Sequence, residues 1–231
     1  MSKDYFIIPI FVPHLGCPHD CVFCNQKRIT GLSTDVTKNY VKNTIEEHLA
    51  TFPKRKINVE VAFYGGSFTG IDKQIQRSLL SIPVKYKNEG KINGIRLSTR
   101  PDYINQEILD LLKEYKVDTI ELGVQSLKDE VLNKSGRGHN SKQVYIASNL
   151  IKKYKFNLGL QMMVGLVDDN RDKAIYTAKE FVKLNPYCVR IYPTLIIKDT
   201  YLEKMYKNNT YKPLSLEEAV DITTDLLMIF E

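Results

Sequence analysis

YFIIPIFV at residues 5–12 is followed, four residues later, by CPHDCVFC at residues 17–24, so an apolar run typical of a β-strand leads into three cysteines within eight residues. Iron–sulfur clusters normally take four cysteine ligands. Three thiolates in one short loop can hold three irons of a [4Fe-4S] cube and leave the fourth iron open to a small molecule. The spacing therefore predicts a cluster held by Cys17, Cys21 and Cys24.

A structural zinc site is the alternative for this loop, with the three cysteines joined by His14 or His19. Zinc sites usually combine two separate arms of ligands, and the sequence shows no second arm of that kind. The N-terminus has no signal-like pattern, and the longest apolar run is too short to cross a bilayer. We therefore expect a cytoplasmic protein without a membrane partner, in which clustered cysteines bind metal rather than form disulfides.

Length and composition fit one large soluble domain over residues 1–231, with 43% apolar and 26% charged residues. The formal net charge of +6 permits a polyanionic substrate such as RNA without demonstrating one. The sequence ends within an apolar helical pattern, so we expect the native polypeptide to continue beyond Glu231.

Short β-branched runs alternate with longer helical patterns, which is typical of βα units around a parallel sheet. We predict strands over residues 6–12, 58–64, 94–98, 119–124, 157–164 and 189–193. We predict helices over residues 38–52, 73–80, 106–115, 141–154, 172–184 and from 216 to the C-terminus. Six units fit a partial (β/α)6 barrel, and a doubly wound open sheet is the alternative. Pro9 favours the barrel, because proline is tolerated mainly on edge strands and the first strand of an unclosed barrel is an edge.

Polar, glycine or cysteine residues stand at or near the end of every predicted strand. They are the cysteine loop, GGSF (65–68), STRPD (98–102), Gln125 with Ser126, Gln161, and Tyr192 with Pro193. Active sites of parallel βα folds gather at the carboxyl ends of the strands. The sequence therefore predicts a single site at this rim.

The C-x3-C-x2-C motif, with Phe23 before the last cysteine, resembles the hallmark of the radical S-adenosylmethionine (SAM) superfamily. HLGCPHDC (14–21), YGGSFT (64–69), STRPD (98–102) and RIYPT (190–194) are similar to the radical SAM half of the Elongator catalytic subunit and its stand-alone bacterial relatives. The resemblance covers essentially all 231 residues. It implies an α/β fold, a partial TIM-like (β/α)6 barrel of the radical SAM type.

The resemblance also implies a [4Fe-4S] cluster and SAM as cofactors, with a low-potential electron donor of the flavodoxin or ferredoxin type. It assigns SAM contacts to Phe23, Gly65, Gly66, Ser67, Ser98, Arg100, Gln125, Arg137 and Gln161. The glycine pair allows the backbone to approach the SAM ammonium, and the fork of Arg137 suits a carboxylate. Arg100 could equally fix its loop, and Gln161 could be a hydrogen-bonded interior group. No residue is assigned as catalytic.

The function that this resemblance implies is a radical SAM enzyme that acts on tRNA. One alternative is a radical reaction on a small molecule such as a tetrapyrrole, which Gln26 disfavours, since coproporphyrinogen oxidases carry a further cysteine there. Another is a non-catalytic metal- or RNA-binding module. Acetyl-CoA use has no support in the sequence.

Overall fold

The computed structural model describes residues 4–12, 21–25 and 36–231. Cys17, His14 and His19 lie outside these ranges. Within them, the six strands are β1 (Tyr5–Val12), β2 (Asn58–Gly65), β3 (Gly94–Thr99), β4 (Thr119–Gln125), β5 (Asn157–Val164) and β6 (Cys188–Pro193). Each bound agrees with its predicted strand to within one residue.

The strands form one sheet in the order β1-β2-β3-β4-β5-β6, and every neighbouring pair is parallel. A doubly wound sheet would reverse its order at a switch point. The unbroken order confirms the partial (β/α)6 barrel. β1 is an edge strand among the described residues, and Pro9 lies within it opposite Ala62 of β2.

Eight helices are found in the described ranges: α1 (Lys38–Thr51), α2 (Lys73–Asn88), α3 (Gln106–Glu114), α4 (Asp129–Lys134), α5 (Ser141–Lys153), α6 (Arg171–Leu184), α7 (Tyr201–Lys207) and α8 (Leu216–Phe230). Single 3-10 turns occur at Phe68–Gly70 and Pro101–Tyr103. The predicted helices are all present. α4 and α7 were not predicted from the sequence.

Helix α2 continues eight residues beyond its predicted end and contains Pro83. Proline cannot donate the backbone hydrogen bond of a helix interior. Leu79, Leu80, Pro83 and Tyr86 are nevertheless all buried on the side of the helix that faces the core. Packing of this apolar face maintains the helix across the proline, so tertiary contacts outweigh the local penalty.

The last helix begins as its sequence predicts. Ser215 caps α8 by accepting a hydrogen bond from the backbone N–H of Glu218, and the Glu218 carboxylate accepts one from the N–H of Ser215. This reciprocal pair satisfies two backbone donors that the first turn leaves open. No helix in the described ranges has both the length and the apolar character that a membrane span requires.

The two faces of the sheet differ in chemistry. Alternate strand residues such as Ile8, Phe63, Leu97 and Leu122 are fully buried in the apolar core. Because side chains alternate along a strand, the residues between them point to the barrel interior. That interior carries a charged cluster, which we call the interior network; it comprises Tyr5, Glu60, Tyr64, Arg96, Glu121, Gln161 and Arg190.

Candidate functional site

A cavity of about 180 Å³ lies at the carboxyl ends of the strands. Its lining includes every predicted site residue that the structure describes: Cys21, Phe23, Cys24, Gly65, Gly66, Ser67, Ser98, Arg100, Gln125, Arg137 and Gln161. Thr99 and Gly123 also line it, and the sequence prediction did not include them. Strands β2, β3, β4 and β5, together with the loops around them, therefore bring residues separated by up to 140 positions into one small volume.

The cysteine loop is held by contacts on both sides. Cys21 is buried and Cys24 is half-buried, and the N–H of Cys24 donates to the carbonyl of Cys21 at 2.9 Å. The N–H of Val22 donates to Ser135 at 3.1 Å, and the carbonyl of Val22 accepts from the N–H of Leu202 at 2.7 Å. These contacts orient the loop so that both cysteines border the cavity. No group of three His, Cys, Asp or Glu side chains in the described ranges is arranged as a metal site, and Cys17 lies outside those ranges.

The glycine pair ends β2 beside this loop. Gly65 has a φ of +104°, a conformation that glycine adopts without the steric cost that a Cβ would bring. The N–H of Gly66 donates to the carbonyl of Val12 at 3.3 Å, which joins the ends of β1 and β2. The Ser67 hydroxyl lies 2.8 Å from that of Thr99 and accepts the N–H of Arg100 at 3.3 Å. Ser67 thus joins the ends of β2 and β3.

Strand β4 ends in an irregularity that directs Gln125 into the cavity. Gly123 pairs with Gln161 of β5 but Gln125 pairs with the next residue, Met162, so the register shifts between them. Bulges of this kind often re-aim a side chain next to an active site. Gln125 has a φ of +73°, and its buried Oε1 has no hydrogen-bond partner. A strained residue with an unmet acceptor is typical of a ligand site.

Gly123 provides the space for two of these side chains. A Cβ at this position would lie 3.2 Å from Nε2 of Gln125 and 3.5 Å from Nη2 of Arg137. The first distance is tighter than most real contacts, so a larger residue would displace the Gln125 amide. The sequence signal for this role is the Gly-Val-Gln run at the end of a strand, in which only the glutamine was singled out.

Arg137 contacts the cysteine loop directly. Its Nη1 donates to Sγ of Cys21 at 3.2 Å and its Nη2 donates to the carbonyl of Gly123 at 2.6 Å, while its buried Nε has no partner. The guanidinium therefore lies against the sulfur of a cysteine that borders the cavity. The predicted contact of Arg137 with a SAM carboxylate stays a prediction.

Arg100 fixes the loop that carries Arg137. Its guanidinium donates two hydrogen bonds to the Asp102 carboxylate, each of 3.0 Å, and a third to the carbonyl of Arg137 at 2.6 Å. The sequence allowed two roles for Arg100, a contact with SAM or the fixing of its loop, and these hydrogen bonds correspond to the second role. Arg100 also lines the cavity, so the SAM contact stays a prediction.

His139 lies buried behind Arg137 and was not predicted as a site residue. Its Nε2 donates to the carbonyl of Val124 at 3.2 Å, and its Nδ1 is buried without a partner. Burial, followed by the positive charges of Arg137 and Arg100, lowers the pKa of His139 to about 3. A neutral histidine therefore supports the end of β4 next to the bulge.

Gln161 and Ser98 connect the cavity with the barrel interior. Gln161 donates from Nε2 to Oε2 of Glu121 at 2.9 Å and lines the cavity at the same time. Ser98 is buried and lies opposite Glu121 in the register of β3 with β4. The amide of Gln161 is thus hydrogen-bonded in the interior, and because Gln161 also lines the cavity its contact with SAM stays a prediction.

Comparison with known proteins agrees with this geometry. Residues 11–181 match the model of the radical SAM superfamily, and residues 186–231 match a radical SAM C-terminal domain. This chain belongs to the radical SAM superfamily. Members of this superfamily are enzymes that use SAM and a [4Fe-4S] cluster, so membership implies both groups for this chain.

The curated relatives include an uncharacterized protein, a tRNA acetyltransferase and an Elongator subunit. An uncharacterized protein of Methanocaldococcus jannaschii is 28% identical and covers 98% of this radical SAM chain, which spans 72% of that protein. The tRNA uridine(34) acetyltransferase of Methanocaldococcus infernus and the Elongator complex protein 3 of Saccharomyces cerevisiae are each 28% identical over 74% of the chain. The chain spans about a third of the length of these two proteins.

Solved structures confirm the fold. The archaeal Methanocaldococcus infernus Elp3 with an N-terminal deletion superposes with a TM-score of 0.77 at 21% identity, covering 98% of this chain and 54% of that one. Coproporphyrinogen III oxidase from Escherichia coli superposes with a TM-score of 0.63 at 18% identity, covering 98% and 51%. The expected radical SAM barrel and the expected resemblance to the Elongator catalytic subunit are thereby confirmed.

The residues around the cavity fit the two groups that the family implies. Two thiols border it, and a buried amide oxygen of Gln125 and a buried Nε of Arg137 remain without partners. Gly65, Gly66 and Gly123 also line the cavity, and a Cβ at Gly123 would crowd the Gln125 amide. Unpaired buried polar atoms are costly, so a polar ligand that pairs with them would bind favourably.

Proposed function

We propose that this chain binds a [4Fe-4S] cluster and SAM at the cavity and starts radical chemistry on tRNA. The observation that carries the proposal is the convergence of the cysteine loop with the strained Gln125 and the buried Arg137 on one cavity. Cys17, Cys21 and Cys24 would ligate the cluster. When bound, the two groups together supply one-electron cleavage of the SAM sulfonium, which yields a radical able to take hydrogen from a substrate.

The chain's own residues would position SAM. Gly65 and Gly66 would accept the methionine ammonium on backbone carbonyls, and the Gln125 amide oxygen would accept a hydrogen bond from a ribose hydroxyl. Phe23 borders the cavity next to Cys24 and would pack against the adenine. Arg137, beside the Cys21 sulfur, would offer its remaining donor to the SAM carboxylate.

Two observations support tRNA as the substrate. Two of the relatives carry the names tRNA uridine(34) acetyltransferase and Elongator complex protein 3. The net charge of +6 suits a polyanion. A low-potential carrier of the flavodoxin or ferredoxin type would deliver the electron.

Anaerobic reconstitution tests the cofactor part of the proposal. Protein loaded with iron and sulfide should hold about four irons per chain and release 5′-deoxyadenosine from SAM in the presence of dithionite. Cys21→Ala should abolish both. Cys188→Ala is the matched control, since Cys188 is half-buried at the start of β6 and does not line the cavity. Zinc in place of iron, or no 5′-deoxyadenosine from loaded protein, would disprove the assignment.

The substrate part needs a separate assay. SAM turnover should rise with bulk tRNA and should not rise with coproporphyrinogen or with a mixture of small metabolites. Turnover that responds to a small molecule alone would reject tRNA and leave the radical SAM chemistry standing. Turnover that responds to neither would also count against tRNA as the substrate.

A further inference from the structure

Helix α7 and its flanks carry a group of exposed basic and aromatic side chains. We call Lys198, Tyr201, Lys204, Lys207 and Lys212 the basic shelf; all five are exposed, and Tyr201 is 62% accessible. Tyr201, Lys204 and Lys207 are spaced by three residues, which places them along one side of the helix. The other side buries Leu202.

The positive charge of the shelf is only partly compensated. Glu203 pairs with Lys207 at 2.8 Å and accepts the N–H of Asp199 at 2.9 Å. Lys198, Lys204 and Lys212 form no ion pair within 4.0 Å with any residue that the structure describes. Three ammonium groups therefore face solvent without an acidic neighbour at contact distance.

The shelf is fixed directly to the cysteine loop. The N–H of Leu202 donates to the carbonyl of Val22 at 2.7 Å, and Nδ2 of Asn25 donates to the carbonyl of Lys198 at 3.3 Å. Leu202 also belongs to a small apolar cluster against which Val22 and Phe23 pack. The exposed lysines thus stand beside the loop whose cysteines border the cavity.

The exposed surface of this segment suits a nucleic acid better than a protein. Protein interfaces centre on an apolar core from which charge is depleted. From residue 198 to residue 212, no aliphatic side chain is exposed, and the exposed aromatic rings are those of Tyr201 and Tyr206. Lysines that track phosphates, combined with aromatic rings on which bases stack, are the usual elements of single-stranded nucleic-acid binding.

We propose that the basic shelf binds the backbone of an unpaired RNA segment and so places the substrate beside the cavity. Lys198, Lys204 and Lys212 would contact phosphates, and the ring of Tyr201 would stack with a base. This inference rests on the proposed RNA substrate and adds the surface that holds it. An acidic electron carrier is the other partner that such a surface could attract.

The test compares two triple variants of the reconstituted full chain. Lys198→Gln, Lys204→Gln and Lys212→Gln together remove the three shelf lysines that form no ion pair within 4.0 Å among the described residues. Lys85→Gln, Lys153→Gln and Lys179→Gln together make the same change in net charge on exposed positions of α2, α5 and α6. Binding of labelled oligouridylate and of bulk tRNA is measured by fluorescence anisotropy over a series of salt concentrations.

The shelf variant should bind RNA at least roughly tenfold more weakly at low salt, with a logarithmic salt slope less steep by about 2. The control variant should bind like the wild type. Tyr201→Ala should weaken oligouridylate binding roughly fivefold or more without changing the salt slope. SAM cleavage driven by dithionite, without RNA, should be unchanged in every variant, because none of these residues lines the cavity.

Three results would overturn the inference. Equal loss of affinity in both triple variants would show that net charge alone attracts RNA. Unchanged affinity in the shelf variant, with loss of SAM cleavage driven by reduced flavodoxin, would assign the surface to an electron carrier. Absence of RNA binding by the wild type would reject both the shelf and the tRNA substrate, whereas dithionite-driven SAM cleavage would still report on the radical SAM chemistry.

Discussion

The barrel interior and the cavity rim lie on the same face of the same sheet, yet they treat buried polar atoms in opposite ways. In the interior network, Glu121 is completely buried and accepts hydrogen bonds from Arg96, Arg190, Gln161 and Tyr64. At the rim, by contrast, several buried polar atoms have no partner.

The unpartnered atoms are concentrated around one loop and one strand end. Oε1 of Gln125, Nε of Arg137, Nδ1 of His139 and the Ser135 hydroxyl are all buried without a hydrogen bond. No member of the interior network has a buried side-chain atom of this kind in the part of the chain that the structure describes. Folding rarely leaves such atoms unpaired unless something else pairs with them.

The difference separates stability from function within one barrel. Ion pairs in the interior connect different strands of the sheet. Removing one partner would leave the other charges buried and uncompensated. At the rim, buried polar atoms lack such partners in the folded chain. We expect them to form hydrogen bonds when a ligand binds, and the ligand then supplies the missing stabilisation. Substitutions in the interior should therefore lower mainly the stability of the fold, whereas substitutions at the rim should weaken mainly the binding of SAM.

The largest effect on folding is expected in the interior network. Glu121→Ala leaves Arg96 and Arg190 without a carboxylate that both contact, and it should lower the free energy of unfolding by about 3–5 kcal/mol. Denaturant titration measures this. Glu107→Ala is the control, because Glu107 pairs with Lys73 on the surface, and it should change stability little. Similar losses in both variants would show that the buried carboxylate of Glu121 contributes no more to stability than a surface ion pair.

At the rim, Arg137→Ala should affect binding more than folding. It should leave the iron content intact and weaken SAM binding by about 1–3 kcal/mol, the scale of a hydrogen bond to a charged group. Arg137→Lys keeps the charge without the planar fork and should recover only part of the affinity. Equilibrium SAM binding to the loaded protein decides the matter. An unaltered affinity would show that Arg137 serves the cysteine loop alone.

The buried histidine predicts a pH dependence of stability. The folded pKa of His139, about 3, lies below its ordinary value of 6.5, because burial and two arginines disfavour the charged form. As the pH falls, the unfolded chain therefore takes up the proton before the folded chain does. The contribution of neutral His139 to the free energy of unfolding is present above pH 6.5 and is lost as the pH falls towards 3. Between pH 7.5 and pH 5.5 this loss should be about 1.4 kcal/mol.

His139→Gln isolates that contribution, since the other titrating groups remain. The free energy of unfolding of the wild type minus that of the variant should fall as the pH is lowered from 7.5 to 5.5. Parallel curves for the two proteins would mean that His139 is not held neutral by the fold.

The smallest expected effect is a gain of stability rather than a loss, and it concerns Gln125. Gln125→Gly removes the left-handed strain of a side-chain-bearing residue, so stability should stay the same or rise by up to about 1 kcal/mol while SAM affinity falls. Lys155→Gly is the matched control, with a φ of +64° on an exposed turn, and it should relieve strain without any effect on SAM. A clear loss of stability in Gln125→Gly would contradict the view that the bulge serves ligand binding.

Much of the fold was predictable because parallel βα units leave a local signal. Each strand is a short apolar run between helical patterns, and each was located to within one residue. The full length of α2 was not predictable, since nothing local shows that the buried face of the helix extends beyond Pro83. The short helices α4 and α7 have too few residues for a clear helical period.

The candidate site was predictable to the extent that it consists of residues next to strand ends. The cysteine motif, the glycine pair and Gln125 have that position. Gly123 and His139 were missed, because space beside a side chain and a hydrogen bond to the carbonyl of Val124 exist only once β4 has its bulge.

The amino-acid sequence by itself determined the alternation of strands and helices and the spacing of the three cysteines, because both depend on neighbours along the chain. Only the tertiary structure decided which charges pair in the interior, that Arg137 reaches Cys21 across 116 positions and that α7 lies against the cysteine loop. The physical reason is that hydrogen bonds and ion pairs depend on distances of a few ångströms between strands. Those distances exist only after the parallel sheet has brought remote segments side by side.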